Sequence, residues 1–223
     1  MRKRTKRRLE FVAAFAAYFL TLWVLWPTPV IYPVKLFVVL LHEIGHGLAA
    51  IATGGSIDTI AITPDQGGVC HCLGGNALAT LSAGYLGSLA FGIGMLEAAR
   101  AGERASRAAL LLLGALVLAI AALYVRSIFS LAIAGVAGAL LLLAAARLGH
   151  GGRNLVLTFL GLTSALYALF DIRSDILSRP HLESDAAMLA DLTGVPTLAW
   201  GFLWITIAAG ALVWTVRRGF PGR

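Results

Sequence analysis

The chain has 223 residues, 59% of them apolar and only 13% charged, a balance that excludes a soluble globular domain and points to helices packed within a bilayer. Its formal charge is +7, but six of the eighteen basic residues crowd into the first eight positions, MRKRTKRR. With no aromatic or folded basic module beside them, that charge speaks for an anionic lipid surface and against nucleic acid.

Residues 1–8 therefore read as a basic cytoplasmic tail. Residues 8–26 read as the first transmembrane helix, with Trp23 and Trp26 as interfacial aromatics. It resembles an uncleaved signal anchor, since it runs into Trp26-Pro27-Thr28-Pro29 without a small-residue cleavage site. A second helix is expected over 30–53, with Lys35 near its outer end and able to snorkel to the surface.

That second helix carries LHEIGHG at 41–47. Three ionisable side chains, His42, Glu43 and His46, interrupt an otherwise apolar run, and burying such groups in hydrocarbon is unfavourable by about 3 kcal/mol each unless something binds them. Residues four apart on a helix are about 40° apart around the axis and roughly 6 Å along it, so the imidazoles of His42 and His46 project side by side. That spacing chelates one metal ion. Glu43 is rotated about 100° from His42, placed to hold water on the metal and take its proton.

Gly54 and Gly55 stop the helix. SIDTIAIT at 56–63 has the alternation and β-branching of a strand, PDQGG at 64–68 is a turn, and 69–72 is a second strand. An open strand edge is tolerated at membrane depth only against protein or a water-filled cavity, so the hairpin belongs beside the motif, where its edge can accept an extended peptide. Cys70 and Cys72 are one residue apart, poor spacing for a disulfide, and read as packed thiols.

Helix three is expected over 77–100, with the small residues of SAGYLGSLAFGIG allowing close backbone approach. A charged loop at 100–107 precedes two Leu/Ala-rich helices, 108–124 and 127–148. Helix six runs from 153 through 170 and on to 178. Asn154, Thr158, Gly161, Ser164 and Asp171 recur on it at helical spacing, a small or polar face that looks into the bundle. Ser184-Asp185 reads as an N-cap opening a short helix to 192, closed by Gly194 and Pro196. Helix seven covers 197–216 and ends in Arg217-Arg218, leaving a tail at 219–223. The expected architecture is an all-α polytopic membrane protein with about seven transmembrane helices, a single membrane-embedded domain over 9–218, and a short β-hairpin at 56–72 after the HExxH helix.

A catalytic zinc commonly has three protein ligands and a water, and His42 and His46 supply two. GLAAIAT after His46 lacks the further histidine of the extended motif, so the third ligand is sought among Asp171, Asp175, Asp185 and Glu97. With the basic tail inside, seven alternating helices bring the cytoplasmic ends of helices two and six together. His46 and Asp171 then lie roughly 10 Å from those ends, at one level. Depth thus favours Asp171, with Asp175 a turn nearer water, Asp185 explained by helix capping, and Glu97 toward the opposite face. The same alternation puts the 100–107 loop, Arg217 and Arg218 outside, against the positive-inside tendency. His71 on the hairpin is read as a hydrogen-bonded strand residue rather than a ligand. His150 and His181 are loop residues without a role, and Tyr85 and Asn76 are residues of the cavity wall or of packing.

Taken together, HEIGHG in a membrane helix, a Gly-bounded β segment, an AGYLGS helix and a late aspartate resemble the site-2 protease family of intramembrane zinc metallopeptidases. The closer likeness is to its compact bacterial relatives, where SDAAMLADLTGVPTLAWGFLW is similar to a recurring C-terminal signature. The resemblance spans residues 36–204 and implies His42 and His46 as zinc ligands and Glu43 as the catalytic glutamate. The family's usual third ligand lies in an Asn-Pro and Leu-Asp-Gly context that this chain lacks. The expected activity is zinc-dependent hydrolysis of peptide bonds in transmembrane or membrane-proximal protein substrates, with the chemistry below the cytoplasmic surface of a bacterial cytoplasmic membrane. The alternatives are a non-proteolytic regulator or binding protein pinned by a structural zinc, and a metal transporter.

Overall fold

The computed structural model describes residues 2–173 and 184–219. Among these residues, eight α-helices and one hairpin follow in the order α1 (Arg2–Leu25), α2 (Tyr32–Ala52), β1 (Ser56–Ile62), β2 (Gly68–Leu73), α3 (Ala77–Arg100), α4 (Glu103–Tyr124), α5 (Ile128–Arg147), α6 (His150–Arg173), α7 (Asp185–Thr193) and α8 (Thr197–Gly219). This is the helical membrane architecture expected from the sequence. Among the described residues, five helical stretches are long and apolar enough to cross a bilayer: Pro29–Ala52, Ala77–Arg100, Glu103–Tyr124, Ile128–Arg147 and Thr197–Thr215. Helix α1 contributes a shorter apolar stretch, Val12–Leu25. The expected continuation of α6 from 174 to 178 lies outside the described residues.

Helix α2 is the buried axis of the molecule, with Leu36 through Gly47 all buried. It crosses α3 where Gly45 faces the backbone of Ala83 and Gly87, so close that a Cβ on Gly45 would strike the Ala83 carbonyl. Contact between small residues is how transmembrane helices gain van der Waals packing without a hydrophobic driving force. Helix α3 in turn lies against α6, where the Ser164 hydroxyl donates to the Ser88 carbonyl at 2.7 Å. Gly161 and Ser164 of the small and polar face read along α6 are thus turned inward, Gly161 against Gly92.

The hairpin is antiparallel, in register from Ser56↔Leu73 to Ile62↔Gly68, with an irregularity at Asp58 between Ile57 and Thr59. Its outer edges are treated differently. β1 is closed off by the α4–α5 connection: Ile60 bridges Val125, and the Ser130 hydroxyl both accepts from the Ile62 amide at 2.8 Å and donates to the Ile62 carbonyl at 3.0 Å. No strand pairs with the other edge of β2 among the described residues. Cys70 and Cys72 are joined in a disulfide, which corrects the reading of packed thiols; residues two apart on a strand share a face, and that brings their sulfurs together.

Lys35 also departs from expectation. It does not snorkel outward but is buried, with its ammonium donating to Gln66 Oε1 at 2.9 Å and lying 4.8 Å from the Trp26 ring centre. Together with the Tyr32 hydroxyl, which donates to the Pro64 carbonyl at 2.7 Å, it ties the hairpin turn to the start of α2. Gln66 holds a left-handed φ of 71° in that turn, a conformation a non-glycine residue keeps only when its surroundings enforce it.

The largest departure concerns α1. Tyr18 bonds Phe159 and Thr163, while Phe19 and Trp23 further along pack on Phe170. The two helices therefore run in the same direction. Ala14 and Phe15 share a cavity with Arg100, Thr158, Leu212 and Arg218, so the basic start of α1, the end of α3 and the end of α8 gather at one end of the bundle. The alternation of seven helices expected from the sequence placed them on opposite faces. The difference arises because α1 and α2 are joined through Pro27, Pro29 and a short 3-10 turn, Pro29–Ile31, and do not form an antiparallel pair.

Candidate metal centre

His42, Glu43 and His46 are all buried, and one ligand atom from each lies within 4.8 Å of the others. As the i, i+4 spacing requires, the two imidazoles are neighbours, their ring centres 4.7 Å apart. The His46 Nδ1–H donates to the Thr80 carbonyl at 2.7 Å, which fixes the ring orientation and turns Nε2 inward, as a carbonyl partner does for a histidine that ligates through its other nitrogen. His42 stands edge-on to Tyr85, with ring centres 5.0 Å apart.

The carboxylate that meets the pair belongs to Asp185. Its Oδ2 lies 3.0 Å from His42 Nε2 and 3.2 Å from His46 Nε2. With Nδ1 committed to Thr80, a neutral His46 presents a lone pair to a carboxylate oxygen. Two acceptors at that separation call for a cation between them, and two imidazoles with a carboxylate are a donor set that suits zinc.

The position of Asp185 follows from its local sequence. Ser184 is the N-cap of α7, its side chain accepting from the Ala187 amide at 3.3 Å, and Gly194 ends the helix at φ 74°. Capping is thus the work of Ser184, and Asp185 is left to face the histidines from the first turn, where a carboxylate is also favoured by the helix dipole. Ala186 and Leu189 bury the helix against Tyr85 and Trp204. The backbone of Asp171 continues α6, but its side chain, like all of Asp175, lies outside the described residues. Glu97 is far from the centre and pairs with Arg100 at 2.8 Å. His71 is exposed and does not line the central cavity, and His150 contacts Asn154 at 3.2 Å. Asn76 is the N-cap of α3, accepting from the Ala79 amide at 2.9 Å.

The site opens into a cavity of about 290 Å³ bounded by α2, β2, the start of α3 and α7. Val69 and Cys70 line this cavity together with Glu43, so β2 reaches the motif itself. Gly68 lies against Glu43, and a Cβ there would strike its Oε1 and come within 2.8 Å of its Cγ. Gly84 is packed as closely on the other side, where a Cβ would collide with His42 Nε2 and sit 2.5 Å from His46 Nε2. Sequence reading attributed the small residues of AGYLGS to helix packing and missed this contact with the imidazoles; the glycine preceding Tyr85 was the available signal. Thr80 carried no signal, because it acts through its main-chain oxygen.

Residues 15–215 match a family model described as Peptidase M50B-like. No curated protein and no solved structure matches the chain.

Proposed function

The chain belongs to the Peptidase M50B-like family of membrane metallopeptidases of the site-2 protease type, and from that premise we propose that it is a zinc endopeptidase cutting transmembrane or membrane-proximal protein substrates. The observation that carries this reading is the convergence of His42, His46 and Asp185 on one point beside Glu43, at the wall of a cavity edged by a free strand.

In this reading His42, His46 and Asp185 hold the metal, with Asp185 in the place that depth alone assigned to Asp171. Zinc, when bound, supplies a Lewis acid that polarises the scissile carbonyl and acidifies water. Glu43 takes the proton from the attacking water and delivers it to the leaving amine. Thr80 keeps His46 in the ligating orientation, and Tyr85 and Tyr167 wall the site from lipid. A helical substrate hides its own carbonyls and must unwind before cleavage. The outer edge of β2 offers main-chain groups to the unwound segment and lays it along Glu43, as strand addition requires.

The test is Glu43→Gln. The variant is expected to keep its zinc and to lose cleavage of an unfolded membrane peptide by at least about a hundredfold, the usual contribution of a general base. Turnover at the wild-type rate would reject Glu43 as the base. Zinc binding without cleavage in the wild type would favour a structural metal instead.

A further inference from the structure

At the end of the bundle opposite the metal centre, Ala101, Glu103, Arg104, Arg107 and Arg153 line a separate hollow of about 440 Å³. Its construction begins with Gly102, the N-cap of α4, whose φ of 107° is accessible to glycine and whose missing side chain leaves the first-turn amides of α4 without a side-chain acceptor. Those amides and the helix dipole make the start of this 22-residue helix receptive to an anion. Arg153, from the first turn of α6, is 8% exposed, and its Nε has no hydrogen-bond partner. Its described acceptor is Glu103 Oε1, at a long 3.4 Å from an outer guanidinium nitrogen.

Arg104 and Arg107 stand one turn apart on the rim, exposed and without ion-pair partners among the described residues. Three guanidinium groups against one carboxylate leave the hollow strongly positive. Two turns further along α4, Leu111 and Leu112 are exposed on a helix apolar enough to span a bilayer. A charged hollow at the mouth of an exposed leucine track matches a ligand with a phosphate head and acyl chains.

We propose that this hollow is a phosphate-binding site that seats the headgroup of an anionic phospholipid. Arginine forks and free helix amides bind the phosphate oxygens, and the chains follow α4 into the bilayer.

The experiment uses the full chain, delipidated in detergent and then given phosphatidylglycerol or phosphatidylcholine, with bound lipid counted by native mass spectrometry. The wild type is expected to retain phosphatidylglycerol preferentially. Arg104→Gln/Arg107→Gln, which spares the buried Arg153, is expected to retain less by roughly fivefold per arginine, the effect of one basic residue at an anionic surface. Arg217→Gln/Arg218→Gln, at the same end of the bundle, is expected to retain as much as the wild type. Equal retention of the two lipids, or equal losses in the two double variants, would overturn the site. Inorganic phosphate is expected to compete weakly; if it binds the delipidated protein more tightly than phosphatidylglycerol, the ligand is a soluble phosphate and the lipid assignment falls.

Discussion

His46 faces Asp185 across 3.2 Å, Nε2 to Oδ2, while the other nitrogen of the same ring is bonded to the Thr80 carbonyl. One imidazole is thereby held between α3 and α7, and the carboxylate it meets comes from the far end of the chain. If these groups hold zinc, Asp185→Ala should lower metal content after dialysis against a weak chelator by more than the roughly tenfold to hundredfold loss expected from disturbing a ligand's support alone. Asp171→Asn should leave metal content unchanged. Elemental analysis of both proteins, at matched monodispersity, checks the pair, and the reverse pattern would return the third ligand to α6.

Gly84 tests the steric side of the same centre. A methyl group there collides with His42 and crowds His46, so Gly84→Ala should displace both imidazoles and depress zinc affinity along with cleavage. Overpacking of this kind also destabilises by about 1–3 kcal/mol. Gly94→Ala, on the same helix with nothing within 4 Å of the new Cβ, should leave metal content unchanged and hold or slightly raise thermal stability, since alanine is the better helix former. Zinc titration and thermal unfolding of the two variants separate a local clash from a general intolerance of alanine in α3.

A third prediction concerns Lys35, whose ammonium holds Gln66 and lies over Trp26. Lys35→Met keeps the apolar stem but removes one of the two ties on the turn between β1 and β2, leaving the one from Tyr32 to Pro64. Losing a hydrogen bond made by a charged group amounts to about 1.5–3 kcal/mol. Hydrogen exchange should accelerate across 64–68, and KM for a peptide substrate should rise, while zinc content stays at the wild-type level because no ligand has moved. A variant that lost zinc as well would tie Lys35 to the metal centre instead of to the strand.

His42, Glu43 and His46 were legible because their relation is local: an i, i+4 pair on a helix has one geometry wherever the helix sits. Asp185, one of the alternatives to Asp171, was not singled out, because where it sits depends on how α7 packs on Tyr85 and Trp204, and depth counted along ideal helices cannot anticipate that. Its neighbour Ser184 performs the capping that seemed sufficient to explain it. The Cys70–Cys72 disulfide was missed because the spacing was weighed without the shared face of a strand. The course of α1 was missed because the alternation rule treats every apolar segment as a crossing of equal standing. The hairpin, by contrast, was readable from its own Gly and Pro punctuation.

The altered course of α1 yields a last prediction, on orientation. Thr80 and Arg100 are at opposite ends of α3, a 24-residue helix about 36 Å long. Thr80 holds His46, whereas Arg100 shares its end of the bundle with Ala14 and Arg218. The basic residues at the starts of α1 and α4 and at the end of α8 therefore lie away from the metal centre. The positive-inside tendency predicts that this basic end is cytoplasmic and, with it, that the centre opens toward the other compartment instead of below the cytoplasmic surface. The disulfide on β2 agrees, since disulfides persist in oxidising compartments. In a background with Cys70 and Cys72 replaced by serine, Arg126→Cys beside the hairpin should react with a membrane-impermeant maleimide in intact cells. Arg104→Cys should react only after permeabilisation. The opposite labelling pattern would place the basic end outside and return the metal centre to the cytoplasmic half of the membrane.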